Sequence, residues 1–164
     1  RITRLVLIDA AGPPVAEGPS TAKPSGSPFI FRLLSTPVLS SMMVNCTPKF
    51  LFRSTLTDVY GNPALITDQQ IDRYYDLILR EGNRVATLNR IRAIRNQTPS
   101  GVVTCPTLIL WGSEDRWIPV SVATRFHEAI PGSQLTIMDG IGHVPMEEQP
   151  YESLVPVQEF LLHL

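Results

Sequence analysis

Pro106-Thr-Leu-Ile-Leu-Trp111 is a short apolar run that stops at Gly112, and Gln134-Leu-Thr-Ile-Met138 is a second that stops at Asp139-Gly140. Runs of five or six apolar and β-branched residues bounded by Gly or Pro read as strands rather than helices. The first is apolar at nearly every position, the mark of a strand buried on both faces of a parallel sheet. Between the two runs, Pro119 opens a helix that continues through Ala129 and is ended by Pro131-Gly132. A last helix is expected over Tyr151 to Leu164, with Phe160, Leu161 and Leu164 facing inward. Pro156 either kinks that helix or begins its regular part. Near the start of the chain, Arg4-Leu-Val-Leu-Ile8 followed by Asp9-Ala-Ala-Gly12 reads as a third buried strand. Alternating strands and helices define an α/β fold with a parallel sheet. In such a sheet the chemistry gathers at the C-terminal ends of the strands. That rule puts Asp9, the segment Gly112 to Pro119 and the segment Asp139 to Pro145 along one edge.

The strand pattern is interrupted between residues 13 and 99. A Pro/Gly/Ser-rich stretch from Gly12 to Pro28 reads as loop. Helices are expected beyond it. Thr47-Pro48 supplies an N-cap with Pro at the first helical position, and Gly61 stops that segment. Thr67-Asp-Gln-Gln70 has the spacing of a capping box. Ile71, Tyr74, Tyr75, Ile78 and Leu79 behind it form one apolar face up to Gly82, and Val85, Leu88, Ile91 and Ile94 mark another. The expected organisation is a core strand over 1–12, a helical lid over 13–99 and a C-terminal core over 100–164.

Composition narrows the function classes. The 164 residues are 43% hydrophobic and 18% charged, with a net charge of −1, so no overall field draws the chain to nucleic acid or to an anionic membrane. No apolar run reaches the ~20 residues that span a bilayer. Cys46 and Cys105 have neither C-x-x-C spacing nor His ligands nearby, and read as two free buried thiols in a reducing, cytoplasmic setting. The arginines at 80, 84, 90, 92 and 95 form a basic cluster, expected to be a solvated face with salt bridges to Asp72 and Asp76.

The two strand-end loops carry complementary groups. Trp111-Gly-Ser-Glu-Asp-Arg-Trp-Ile-Pro119 offers carboxylates, and Gly140-Ile-Gly-His-Val-Pro145 offers an imidazole between glycine and proline. Neighbouring parallel strands can bring such loops within hydrogen-bonding reach. A carboxylate on Nδ1–H would fix the imidazole tautomer and leave Nε2 as a general base. Asp115 competes with Asp9 for that part, while Glu114 is expected to face solvent. Glu147 and Glu148 read as favourable charges at the N-terminus of the last helix. Trp111 and Pro145 read as structural.

Both loops, as W-G-x-x-D-x-x-x-P and G-x-G-H-x-P-x-x-E-x-P, resemble the paired signature of the α/β-hydrolase family, and Leu5-Val-Leu-Ile-Asp-Ala-Ala-Gly12 resembles that family's sixth strand running into its lid. The resemblance implies the C-terminal part of an α/β-hydrolase parallel sheet with an inserted helical lid. It gives Asp115 as the triad acid and His143 as the base, although some family members place the acid after the sixth strand, which keeps Asp9 open. It implies a small apolar substrate lined by Trp117, Phe50 and Val144, and neither a metal nor an organic cofactor. Arg116 and Trp117 read equally as an exposed arginine and a packed indole.

No G-x-S-x-G elbow occurs, and Ser25 and Ser100 sit in loops without the strand-turn-helix that projects a nucleophile. The expectation is therefore a serine upstream of Arg1, on an N-terminal half that these residues need as a partner. Without it the first strand is a bare edge and the sheet lacks covering helices. An Asp nucleophile, as in dehalogenases and epoxide hydrolases, or a member without a nucleophile remain open alternatives.

Overall fold

The computed structural model describes residues 2–11, 45–95 and 102–162, without the side chains of 91–95. Three strands, β1 (Leu5–Ile8), β2 (Thr107–Gly112) and β3 (Gln134–Met138), form a sheet in the order β1-β2-β3. Both pairings are parallel. Leu5 lies opposite Thr107 and Ile8 opposite Leu110, while Leu108 lies opposite Gln134 and Gly112 opposite Met138.

The central strand β2 is buried at all six positions. Ile109 and Trp111 point to one face and pack on Val122, Ala123 and Phe126 of helix α4 (Ser121–Ala129), with Ile130 closing the cluster. Leu108 and Leu110 point to the opposite face and are buried as well, and helix α6 (Pro150–Leu162) reaches β2. The sheet therefore has helical cover from this chain's own residues, contrary to the bare faces expected above. Arg4, just before β1, donates to the carbonyls of Phe160 and Leu161 in the last turn of α6, where a cation also meets the negative end of the helix dipole.

Between β1 and β2 stand helices α1 (Lys49–Thr57), α2 (Asp68–Leu79) and α3 (Asn83–Arg95), with a 3-10 turn over Pro63–Leu65. The capping box forms: Thr67 Oγ1 accepts from the Gln70 amide at 3.2 Å, and Gln70 Oε1 accepts from the Thr67 amide at 2.8 Å. Leu56, Val59, Tyr60 and Ile71 make a second core, with Phe52, Ile66, Tyr74, Trp117 and Val144 packed against it.

Several local expectations shift. Pro48 is itself the N-cap of α1, and that helix ends at Thr57, before Gly61. Helix α4 begins at Ser121, two residues past Pro119. Pro156 lies inside α6. Leu161 is 46% exposed rather than inward-facing, whereas Phe160 is buried. Leu164 lies outside the described residues, as do Ser25, Ser100 and the whole Gly12 to Pro28 loop. Cys46 is exposed and Cys105 half-buried, because the segments that hold them lie outside both cores. Asp72 pairs with Lys49 rather than with the arginine cluster, the two facing each other between α1 and α2. Among the described residues no helix is long and apolar enough to cross a membrane.

Candidate active site

The ends of β1, β2 and β3 meet at one edge, and each delivers one titratable side chain. Asp115 follows β2, His143 follows β3 and Asp9 ends β1. The two longer loops are stitched together by backbone bonds. Ser113 donates from its amide to the Met138 carbonyl at 2.9 Å, and Glu114 donates to Ile141 at 2.8 Å. The Gly140 amide donates to Ser113 Oγ at 2.9 Å. These bonds, two of them backbone to backbone and one to the Ser113 hydroxyl, fix the two loops relative to each other.

Close backbone approach explains the glycines. At Gly112 a Cβ would run into the carbonyls of Ile141 and Gly142, and at Gly142 into the backbone of Val59, Tyr60 and Gly61. Three chain segments therefore touch with no side chain between them. Gly142→Ala is expected to destabilise the protein by roughly 2 to 3 kcal/mol, the cost of forcing backbones apart in a packed interior. A urea titration checks this; an unchanged midpoint would show that the segments can separate freely.

Within that frame the Asp115 carboxylate has a complete set of donors. Its Oδ1 accepts from the amides of Trp117 at 2.7 Å and Ile118 at 2.9 Å, while Oδ2 lies 2.7 Å from His143 Nδ1. The Asp115 side chain is fully buried and that of His143 is 22% exposed. With two amides on Oδ1 and the ring on Oδ2, the Nδ1 nitrogen is the donor that carries the hydrogen, and Nε2 is the basic position of the neutral ring. Burial pulls the His143 imidazolium down, but the hydrogen bond and charge of Asp115, with a smaller push from Asp9, outweigh it and leave His143 raised above its ordinary value. The Trp117 ring stacks on the imidazole at 5.7 Å between centroids and 27° between planes, restricting the ring's tilt.

Asp9 takes a different position from Asp115. Its Oδ1 accepts from the Gly112 amide at 2.9 Å, bridging β1 to the end of β2, and its bonds do not include His143 Nδ1. The three groups bring ligand-type atoms within 4.8 Å of one another, a set that could in principle hold a metal ion. The 2.7 Å between His143 Nδ1 and Asp115 Oδ2 is a hydrogen-bond distance. Two ligands sharing a tetrahedral zinc at about 2.0–2.1 Å would stand roughly 3.3 Å apart. As placed, the pair binds a proton.

Trp117 and Val144 both lie beside His143, in the second core. Phe50 is 71% exposed at the start of α1 and is not part of that core. Glu114 and Arg116 are exposed. Glu147 and Glu148 do not act mainly through a helix dipole. They are the last two residues of a separate short helix, α5 (Pro145–Glu148), and Glu148 is buried. Glu148 Oε1 accepts from the Gly142 amide at 2.7 Å, and Oε2 accepts from the amides of Gly61 at 3.0 Å and Asn62 at 3.3 Å. Glu147 accepts from the hydroxyls of Tyr60, at 2.6 Å, and Tyr74. Both tyrosine hydroxyls are raised by burial and by the Glu147 carboxylate, Tyr74 to about 12. The His143 amide itself donates to the Val59 carbonyl at 2.7 Å. One carboxylate thus fastens the histidine loop to the segment between α1 and α2.

Residues 1–157 match the model of the Alpha/beta hydrolase family. Over 123 residues the chain is 27% identical to an uncharacterized hydrolase, YugF, of Bacillus subtilis (strain 168), covering 74% of this chain and 41% of that one. Its fold is similar to the crystal structure of a meta-cleavage product hydrolase, CumD, from Pseudomonas fluorescens IP01, with TM-score 0.74 and 22% identity over 98% of this chain and 56% of that one. It is also similar to the esterase EaEST from Exiguobacterium antarcticum, with TM-score 0.69 and 17% identity over 97% of this chain and 57% of that one. The chain therefore spans about half the length of each of these three proteins, and at such identities the structural likenesses carry the fold.

Proposed function

Because this chain belongs to the Alpha/beta hydrolase family, we propose that it supplies the acid and the base of a hydrolytic triad whose nucleophile, a serine, lies on a segment before Arg1. The observation that carries this reading is the 2.7 Å contact between His143 Nδ1 and a buried Asp115 whose other oxygen is saturated by two amides. That arrangement supports the imidazole as the group that takes a proton at Nε2. The lack of a G-x-S-x-G segment in the sequence, and the half-length coverage of the relatives, support a nucleophile elsewhere.

In the proposed reaction Nε2 of His143 takes the serine hydroxyl proton as the oxygen attacks the substrate's carbonyl carbon. Asp115 holds the resulting imidazolium, which then protonates the leaving group. Water next attacks the acyl-serine, with His143 again the base, releasing the acid and restoring the serine. The substrate is a small apolar ester or related acyl compound. The apolar wall beside His143, formed by Trp117 and Val144, supports this, as do the esterase and meta-cleavage product hydrolase among the structural relatives. Phe50, exposed as it is, would reach a substrate only from the rim. Trp117 and Val144 are the more direct contacts. No cofactor enters the scheme. The free thiols Cys46 and Cys105 support a reducing compartment such as the cytoplasm.

The test uses the full-length protein that carries this chain. Incubation with a fluorophosphonate is expected to modify one serine upstream of Arg1, read by mass spectrometry, and to abolish hydrolysis of p-nitrophenyl butyrate. A protein that is neither labelled nor active on esters or meta-cleavage products sinks the proposal. The acid limb of kcat/KM carries a second expectation. The base must be neutral to act, and His143 is raised, so activity is expected to climb with pH through a midpoint above about 6.5. A limb well below that would assign the base to another group.

A further inference from the structure

Asp9 is a carboxyl group that the proposed triad leaves without a task. It ends β1 with φ at 41°, a left-handed conformation uncommon for a residue with a side chain. It is 4% exposed. Oδ1 accepts one amide bond, from Gly112, whereas Oδ2 is buried and meets no donor. The titratable groups that face it among the described residues are Asp115, from the loop after β2, and His143, from the loop after β3.

Two carboxyl groups so close, both out of water, do not ionise together at little cost. Their surroundings decide which one keeps a proton. Asp115 has three donors, the amides of Trp117 and Ile118 and His143 Nδ1–H. Asp9 has a single donor. The proton therefore belongs on Asp9 Oδ2, where the oxygen that lacks a donor becomes one, and the neighbouring acceptor group is the Asp115 carboxylate. An ionised Asp9 would leave that oxygen bare against a second negative charge.

We propose that Asp9 is a positioning residue, a neutral carboxylic acid whose Oδ2–H donates to Asp115 and so keeps one negative charge rather than two in front of His143. The proposal rests on the reading of Asp115 and His143 as the acid and base. Its consequence is that the site changes charge near neutrality. Burial, opposed by the Gly112 amide and assisted by Asp115, raises Asp9 to about 7. Below that pH the site holds one carboxylate. Above it a second appears, and the imidazolium of His143 is favoured where a general base is needed neutral.

The experiment is a pH titration of the full-length protein by NMR from pH 5 to 9. The side-chain carboxyl carbon of Asp9 and the ring nitrogens of His143 are followed in the wild type, in Asp9→Asn and in Asp115→Asn. Wild-type Asp9 is expected to titrate near 7. Asp9→Asn keeps a neutral donor but can never become an anion, so the His143 midpoint is expected to fall by roughly one pH unit, the effect of removing one nearby charge. The acid limb of kcat/KM should move with it. A wild-type Asp9 that titrates in the ordinary carboxylate range overturns the proposal, as does a His143 midpoint unmoved in Asp9→Asn. Should that variant fail to fold, the wild-type carboxyl titration decides alone. The Asp115→Asn arm separates the two readings: if His143 and the activity ignore that change, the acid–base assignment fails, whatever Asp9 does.

Discussion

On the proposed acid–base reading, replacing His143 by Gln is expected to lower kcat of the full-length protein by a factor of about 10⁶, with KM changed far less, because members of a triad act as a unit. The geometry makes this variant informative. His143 is held from three sides: by Asp115 at Nδ1, by the Val59 carbonyl at its own amide, and by the Trp117 ring against its face. A glutamine keeps the backbone bond and much of the contact with the indole. What it loses is a group that can take a proton at the position of Nε2 and return it. Asp115→Asn is expected to lose less, about 10⁴-fold in kcat, because the imidazole survives with the wrong tautomer favoured. A His143→Gln variant within tenfold of wild type would move the base elsewhere and end the triad reading.

Replacing Glu148 by Ala is expected to destabilise the protein by roughly 4 kcal/mol, the largest single effect on stability among these substitutions. The reasoning is an account of donors. Glu148 is buried, and its two oxygens accept from the amides of Gly142, Gly61 and Asn62. Alanine leaves those three amides without their acceptor, and each buried, unpaired amide costs about 1–3 kcal/mol. Activity is expected to fall with stability, since Gly142 precedes His143 and loses its anchor. Glu148→Gln keeps an acceptor oxygen and should lose about half as much. Urea midpoints at constant slope check both; an Ala variant within 1 kcal/mol of wild type would mean that water reaches those amides freely.

The contact between Asp115 and His143 was legible in the sequence to the degree that it is local. Asp115 and His143 stand at the ends of strands that announce themselves by apolar runs and glycine stops, and β3 spans the very residues its pattern indicates. The capping box at Thr67 was legible for the same reason, since all its partners lie within four residues. Glu148 was misread because its acceptor role is not local: the amides of Gly61 and Asn62 are 87 and 86 residues away along the chain. A glutamate beside a helix start looks the same on paper whether it faces solvent or a buried loop. Asp9 was recognised as a rival to Asp115, but only the register of β1 against β2 shows its carboxyl turned to the Gly112 amide. Pro156 was legible as an anomaly and not as an outcome. It sits within α6, where the packing of Ser153 and Phe160 holds the helix on either side.

The seam between β1 and β2 has a consequence for the order in which the molecule assembles. Asp9 and Gly112 are 103 residues apart, whereas Asp115 and His143 are separated by 28. Closing the shorter loop is entropically easier, and contact order favours the β2-α4-β3 unit as the earlier structure. The Asp115–His143 pair can therefore form within a compact local unit, and Asp9 joins it only when the inserted helices have let β1 dock. On that account the amide of Asp9, bonded to the Leu110 carbonyl across the seam, should exchange with deuterium sooner than the amides that join β2 to β3. The last carboxyl group to arrive would then be the first to leave when the protein opens.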